Sequence, residues 1–259
     1  DAEIFLEHLA AGRSTVCGAD PVALLLAALA CLPDGEIYQE TIDYQTSAEI
    51  TGDTEHSVSY GALGYFRARS FELGSEDREL LLESARRTLR RMWETGARKP
   101  VPPARVTPAL ARKGGAFVTL YEGTSLAGCV GHRCAFQPLA EAVPELTLSA
   151  ALDDPRFNPL RQARRPVGIE ISVLTPHRRV RGPSQFVLGR HGVDLECEDR
   201  RALLLPQVAE SREWTVPEFL STLSRKAGLP PDAWSRPDAR LSVFQAQVFR
   251  SDAAVPAIA

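Results

Sequence analysis

The sequence predicts an α+β fold: an antiparallel sheet with flanking helices, preceded by a smaller α/β segment. Three observations carry this reading. Most β-prone runs follow one another through short turns, amphipathic helices stand apart from them, and the charge balance changes sharply near Phe66. Residues 1–66 hold 11 acidic side chains and one basic one, Arg13, for a net charge of −10, whereas the rest of the chain carries +7. Two differently built units therefore meet there. We place the first at 1–66, a linker at 67–74, the main domain at 75–252 and a tail at 253–259.

The 259 residues suffice for one large core or two small ones. With 44% hydrophobic and 24% charged residues, the composition is that of an ordinary soluble globular protein. The longest apolar run, Pro21 to Leu32, is shorter than the roughly 18–20 residues that cross a membrane, which argues against a membrane role. Five cysteines, an odd number, point to reduced thiols in the cytoplasm. The chain opens at Asp1 and its single methionine is Met92, so we read it as a piece of a longer protein.

In the first unit, Ile4 to Ala11 reads as a short helix. Pro21 to Leu32 reads as a second, with Asp20 as N-cap and an apolar surface on all sides that implies full burial. Two strands follow, Ile37 to Tyr44 and Ser57 to Phe66, separated by the turn signal Thr51-Gly52-Asp53. So small a segment with so apolar a helix is expected to be the end of a larger sheet.

The second unit opens on Ser75 as N-cap, and a helix runs to Gly96 with Leu81, Ala85, Leu89, Met92 and Trp93 along one stripe. Pro100 to Pro108 cannot be helical inside and reads as an extended arm on a surface. Strands are expected at Phe117–Leu120, Leu126–Val130 and Val167–Leu174, and a helix at Leu139–Leu152. Gly189-Arg190-His191-Gly192 looks like a hairpin turn between Phe186–Leu188 and Val193–Leu195. A helix at Val216–Ala227 ends on Gly228, and Leu241 to Phe249 alternates as a last strand.

Chemistry is sparse. The run Gly128-Cys129-Val130-Gly131 places a cysteine among glycines, which let a ligand approach the backbone and can leave a thiol reachable as nucleophile or metal ligand. A buried packing cysteine is the other reading. Cys129, His132 and Cys134 do not have a usual zinc spacing. Asp154 and Arg156, in Asp153-Asp154-Pro155-Arg156-Phe157, offer a carboxylate and a guanidinium in one turn, for binding or as a structural pair. His191 is a candidate proton carrier or a turn residue. Cys17 precedes the apolar helix, whose positive end favours thiolate, while His8 and His56 are unforced partners for it. No nucleophile elbow, phosphate loop or His-Glu-x-x-His helix occurs. Of the 30 basic residues 27 are arginine, which reads as GC-rich codon usage or as an RNA-binding surface, although interleaved aromatics are lacking.

Several segments fall in the order of one family. Gly115-Ala116-Phe117-Val118-Thr119-Leu120, Leu126-Ala127-Gly128-Cys129-Val130-Gly131, Asp154-Pro155-Arg156-Phe157, Ile169 to Leu174, Gly189 to Gly192, Leu203 to Ala209 and Lys226-Ala227-Gly228-Leu229 together resemble the AMMECR domain over about residues 75–252. The resemblance implies an antiparallel sheet with flanking helices in two subdomains. Two departures stand out: Ala127 where the family's hexapeptide usually has arginine, and Ser224 where many members have cysteine.

The first unit is similar to the end of a Memo domain, related in fold to extradiol dioxygenases, through Cys17-Gly18-Ala19-Asp20-Pro21, Asp43 to Ser47 and Ser57 to Tyr60. There the matching cysteine joins two histidines at a metal pocket, so Cys17 would hold a divalent metal (iron, copper or zinc) only with the earlier part of that domain. The two families travel with a radical-SAM protein, a set called AmmeMemoRadiSam. We read Cys129 as the reactive or substrate-anchoring thiol, with Arg156 and His191 lining the same cleft as anion clamp and proton carrier, and Asp154, Gly128 and Gly131 as further substrate-binding residues. A non-catalytic module that grips RNA or protein through its arginines is the alternative.

Overall fold

The computed structural model describes residues 2–12, 16–32, 37–210, 214–251 and 254–256. The chain divides into two compact units, Asp1–Ala68 and Arg69–Ala259. In the first, α1 (Ala2–Ala10) and α2 (Ala19–Ala30) precede β1 (Ile37–Thr46), α3 (Ser47–Thr51) and β2 (Ser59–Arg67). The strands pair antiparallel, Ile37 opposite Arg67 and Thr46 opposite Ser59. Gly52 ends α3 at φ 75°, a left-handed turn suited to glycine.

Two expectations for this unit are corrected. Gly18, at φ 75°, holds the cap position of α2, and Asp20 lies inside the first turn, where its charge faces the helix's positive end. The helix has no buried residue and Leu24 is 72% exposed. An all-round apolar helix needs cover on several sides, and the described part of this unit packs α1 against it.

The second unit carries two antiparallel four-stranded sheets. A 3-10 turn at Ala68–Phe71 leads to α4 (Ser75–Thr95), whose cap is Gly74, so that Ser75 is its first residue; Gly96 closes it at φ 68°. The segment expected as a linker is tied down. Leu73 is buried, its N–H donates to Gln247 Oε1 at 2.8 Å and its carbonyl accepts from Gln247 Nε2 at 3.1 Å. The proline-rich arm lies along α4: Ser84 Oγ donates to the Val101 carbonyl at 2.6 Å, and Val101 N–H donates to Thr88 Oγ1 at 3.0 Å. The arm ends at α5 (Pro108–Ala111).

Next come β3 (Gly115–Glu122), β4 (Ser125–His132), α6 (Leu139–Leu152), β5 (Val167–Leu174), β6 (Arg178–Val180), β7 (Gly192–Cys197), β8 (Arg200–Leu204), α7 (Gln207–Glu210), α8 (Val216–Lys226), β9 (Arg240–Phe244) and β10 (Ala246–Arg250). The first sheet runs β10-β5-β3-β4 and the second β6-β9-β7-β8. Alternation sets the inner face of the first sheet. Val118, Leu120, Ile169 and Ile171 are fully or almost fully buried beneath the α4 stripe and α6. In the second sheet Val193, Leu195 and Val243 meet Phe219, Leu220 and Leu223 of α8. Each such side chain contributes about 1.5–3 kcal/mol on burial.

The expected hairpin at 189–192 is corrected, because Phe186–Leu188 is not a strand and β7 instead turns into β8 through Glu198 at φ 55°. The single expected last strand is two strands in different sheets, joined by Gln245. Its N–H donates to Thr175 Oγ1 at 2.9 Å and its carbonyl accepts from Thr175 N–H at 3.0 Å. Consecutive buried residues Val243 and Phe244 mark that break in alternation. Val255, in the expected tail, is buried and bridged to Val167.

The two sheets are joined by charge. Arg133, just past β4, donates to Asp194 of β7 at 2.7 and 2.9 Å, and His177 Nδ1 lies 3.5 Å from the same carboxylate with its ring over Phe244. Burial pushes the Asp194 carboxyl up against the opposing pull of Arg133, and it lowers the His177 pKa, which keeps the imidazole neutral. Asp194→Asn retains an oxygen for Arg133 but leaves its charge uncompensated. Urea unfolding is expected to show a loss of about 2 kcal/mol.

Candidate functional site

The local fold exposes Cys129 for a physical reason. On β4, Gly128 and Val130 face the helices, so Cys129 and Gly131 face the other way. Gly128 has no room for a side chain: a Cβ there would stand 1.9 Å from the Ala150 carbonyl oxygen of α6. At Gly131 a Cβ would stand 2.2 Å from the Phe117 ring, which lies over this part of β4. Both glycines are thus accounted for by close packing that lays β4 down and leaves the thiol half-buried.

β4 is an edge strand, and at Cys129 that edge is closed by side chains. Cys129 N–H donates to Asp154 Oδ2 at 2.8 Å, and Arg156 Nη2 donates to the Cys129 carbonyl at 2.8 Å. The carboxylate and guanidinium occupy the place of a neighbouring strand's peptide group. Arg156 is itself fixed on Asp154, through Nε at 2.9 Å to Oδ1 and Nη2 at 2.7 Å to Oδ2. The turn that delivers them follows the end of α6, with Leu160 N–H donating to Ala151 at 2.7 Å. The Arg156 guanidinium, against desolvation, holds the Asp154 carboxyl down at about 2, and the Cys129 N–H adds to this.

Asp154 is therefore a buried support that is charged at neutral pH. The Arg156 side chain is 60% exposed, and among the described residues its Nη1 has no hydrogen-bond partner. Thr119, opposite Cys129 on β3, donates from Oγ1 to Sγ at 3.3 Å. On the same row, Glu170 of β5 accepts from Arg250 Nε of β10 at 2.5 Å. Tyr121 stands by this row: burial pushes its phenol up, as do Glu170 and Cys129, while Arg250 opposes.

Lys226 lies in the last turn of α8 and donates from Nζ to the Leu203 carbonyl at 3.0 Å. Desolvation lowers its pKa, Cys129 opposes and Arg156 adds to the lowering. The residue keeps an exposed surface. Ser224, two residues before Lys226, is fully buried, and among the described residues its Oγ has no hydrogen-bond partner.

The structure thus brings together Cys129, Asp154 and Arg156. His191 lies at the entry to β7 of the second sheet, almost fully buried. Its Nδ1 accepts from Val187 N–H at 2.9 Å, which puts the proton of the neutral ring on Nε2. Among the described residues, the one metal-sized group is Cys197, Glu198 and Asp238; there Glu198 pairs with Arg236 at 2.9 Å and burial pushes the Cys197 thiol up. Cys129, His132 and Cys134 form no such group, and neither does Cys17, which is exposed. The described residues do not by themselves complete a metal site at Cys17. No helix among the described residues is long and apolar enough to cross a membrane.

Two helix-backed antiparallel sheets, with a clamped cysteine on the edge of the first, define an α+β domain. Residues 82–249 match the AMMECR1 family model, and the chain belongs to that family. It is 41% identical over 191 residues to a protein of Methanopyrus kandleri, covering 70% of this chain and 91% of that one. A Pyrococcus furiosus protein is 36% identical over 193 residues, covering 70% and 91%. The crystal structure of an uncharacterized protein from Pyrococcus horikoshii superimposes with a TM-score of 0.61 at 36% identity, over 68% of this chain and 91% of that one.

Proposed function

We propose that this AMMECR1-family chain acts in the cytoplasm with a Memo-like domain and a radical-SAM protein, and that Cys129 is its reactive or substrate-anchoring thiol. The observation that carries the thiol's role is the clamp. Asp154 and Arg156 hold both backbone polar groups of Cys129, a cost in buried charge that a merely packed cysteine does not need. The thiol itself stays half-buried beside an exposed guanidinium. The Memo-like reading of the first unit rests on its resemblance, and the open faces of α2 support it as the end of a larger domain. In that reading the rest of the domain brings the histidines, and with them a metal, to Cys17.

Alkylation by iodoacetamide near neutral pH, followed by peptide mapping, tests the thiol. Cys129 is expected to be modified in the folded chain, along with the exposed Cys17 and Cys31. Cys129→Ser should remove one adduct without lowering the urea midpoint. If Cys17 and Cys31 react while Cys129 stays unmodified until the protein unfolds, the thiol is a packing residue and its proposed role is dropped.

A further inference from the structure

We propose that Cys197, Glu198 and Asp238 form a three-ligand site for a zinc ion at one end of the second sheet, separate from Cys129. Cys197 is the last residue of β7 and pairs with Arg200, so Glu198 and Asp199 make a two-residue turn into β8. Its side chain joins Val193 and Leu195 on the α8 side of the sheet and is 1% exposed. Asp238 comes from a segment 41 residues further along, just ahead of β9. A ligand atom from each of the three lies within 4.8 Å of the other two.

The spacing suits a shared metal better than a hydrogen bond. Cys197 Sγ stands 3.7 Å from Asp238 Oδ2, which is long for a bond donated by a thiol. With Zn–S of about 2.3 Å and Zn–O of about 2.0 Å, a sulfur and an oxygen on one tetrahedral zinc ion stand about 3.5 Å apart. Glu198 is exposed, so its long side chain can turn an oxygen onto the same ion. Arg236 Nη1 donates to Glu198 Oε1 at 2.9 Å, which leaves Oε2 as the ligand and steadies the carboxylate from behind. A thiol among the ligands selects zinc over magnesium or calcium, which take oxygen alone.

Charge supports the same ion. With the thiol protonated, two carboxylates face one guanidinium and the group is net negative. Zinc binding sends the thiol proton to solvent and forms a Zn–S bond; three anions then balance a divalent ion and Arg236, and the charges sum to zero. The fourth position is left to water. The bound ion ties the β7–β8 turn to the segment ahead of β9, closing a long loop of the second subdomain.

Zinc, with cobalt as its spectroscopic stand-in, tests this on the full chain after chelation and reduction. Cobalt bound here is expected to give a thiolate-to-cobalt charge-transfer band that Cys197→Ala abolishes, although Cys17, Cys31 and Cys129 remain. Zinc affinity, read by competition with a chromophoric chelator, should fall about a hundredfold or more in Asp238→Asn. Zinc at about a hundred times its Kd should raise the wild-type melting temperature by roughly 5–10 °C and leave that of Cys197→Ala unchanged. Magnesium and calcium should do neither.

If band and affinity are the same in the wild type, Cys197→Ala and Asp238→Asn, other thiols hold the metal and the site is overturned. A wild type with no band and no zinc-dependent melting overturns it as well. Should Cys197→Ala not fold, the exposed positions decide by the same readings: Asp238→Asn and Glu198→Gln must each weaken zinc, or the site is dropped. None of these results bears on Cys129, whose reading stands or falls by alkylation.

Discussion

Gly128→Ala is expected to cost about 4 kcal/mol or more in urea unfolding, or to prevent folding altogether. The new Cβ would meet the Ala150 carbonyl oxygen at 1.9 Å and its carbon at 2.9 Å, both backbone atoms of α6. Neither element can yield cheaply. β4 is held by its pairing with β3, while α6 is buried along most of its length and packs on β3 and β4. Gly182→Ala is the control, since a Cβ there meets nothing within 4 Å and the backbone is extended; its effect should stay within about 0.5 kcal/mol. If the two variants unfold alike, β4 does not lie this close to α6, and packing no longer accounts for Gly128.

Asp154→Ala should lose about 3 kcal/mol, seen as a fall in melting temperature of roughly 6–12 °C. The carboxylate's side chain is 3% exposed, and its removal strands the Cys129 N–H and three Arg156 donors at once. The pH dependence gives a second readout. In the folded chain this carboxyl sits at about 2, below its ordinary value of 3.8. A depressed carboxyl stabilises the fold fully above its unfolded value and ceases to do so as pH falls through the folded value. The gap between wild type and Asp154→Ala should thus hold down to about pH 4 and narrow as pH falls toward 2. A gap independent of pH over that range would mean that the carboxylate does not carry the clamp. The same variant should also release Arg156 and disturb Cys129, so its alkylation rate should change together with its stability.

Much of the main domain was legible. The stripe of α4, the span of α6 and the run of β5 follow from periodicity because each buries one continuous face or is buried throughout, and a repeated pattern survives in the sequence. Failures came where two neighbours share a pattern for different reasons. Leu241 to Phe249 alternates as one strand, yet Gln245 moves the chain from the second sheet to the first, a change visible only once Thr175 is opposite it. Arg178–Val180 and Arg200–Leu204 carry too many arginines to read as strands; pairing with β9 and β7 makes them so. α2 was expected to be buried because its composition is apolar, but burial depends on what surrounds a helix, and composition does not show that.

For the candidate site the division is similar. The sequence by itself determined the charge break near Phe66, the two classes of element, the family-like segments and the pairing of an acidic with a basic residue at Asp154 and Arg156. All of these are local properties of residue type and spacing. Only the tertiary structure decided that this pair closes the β4 edge at Cys129, that Gly128 is required by the carbonyl of Ala150, and that His191 serves the loop into β7. The reason is physical. Cys129 and Asp154 are 25 residues apart and Cys129 and Arg156 are 27 apart, so their encounter depends on strand register and sheet packing, and neither leaves a periodic trace along the chain.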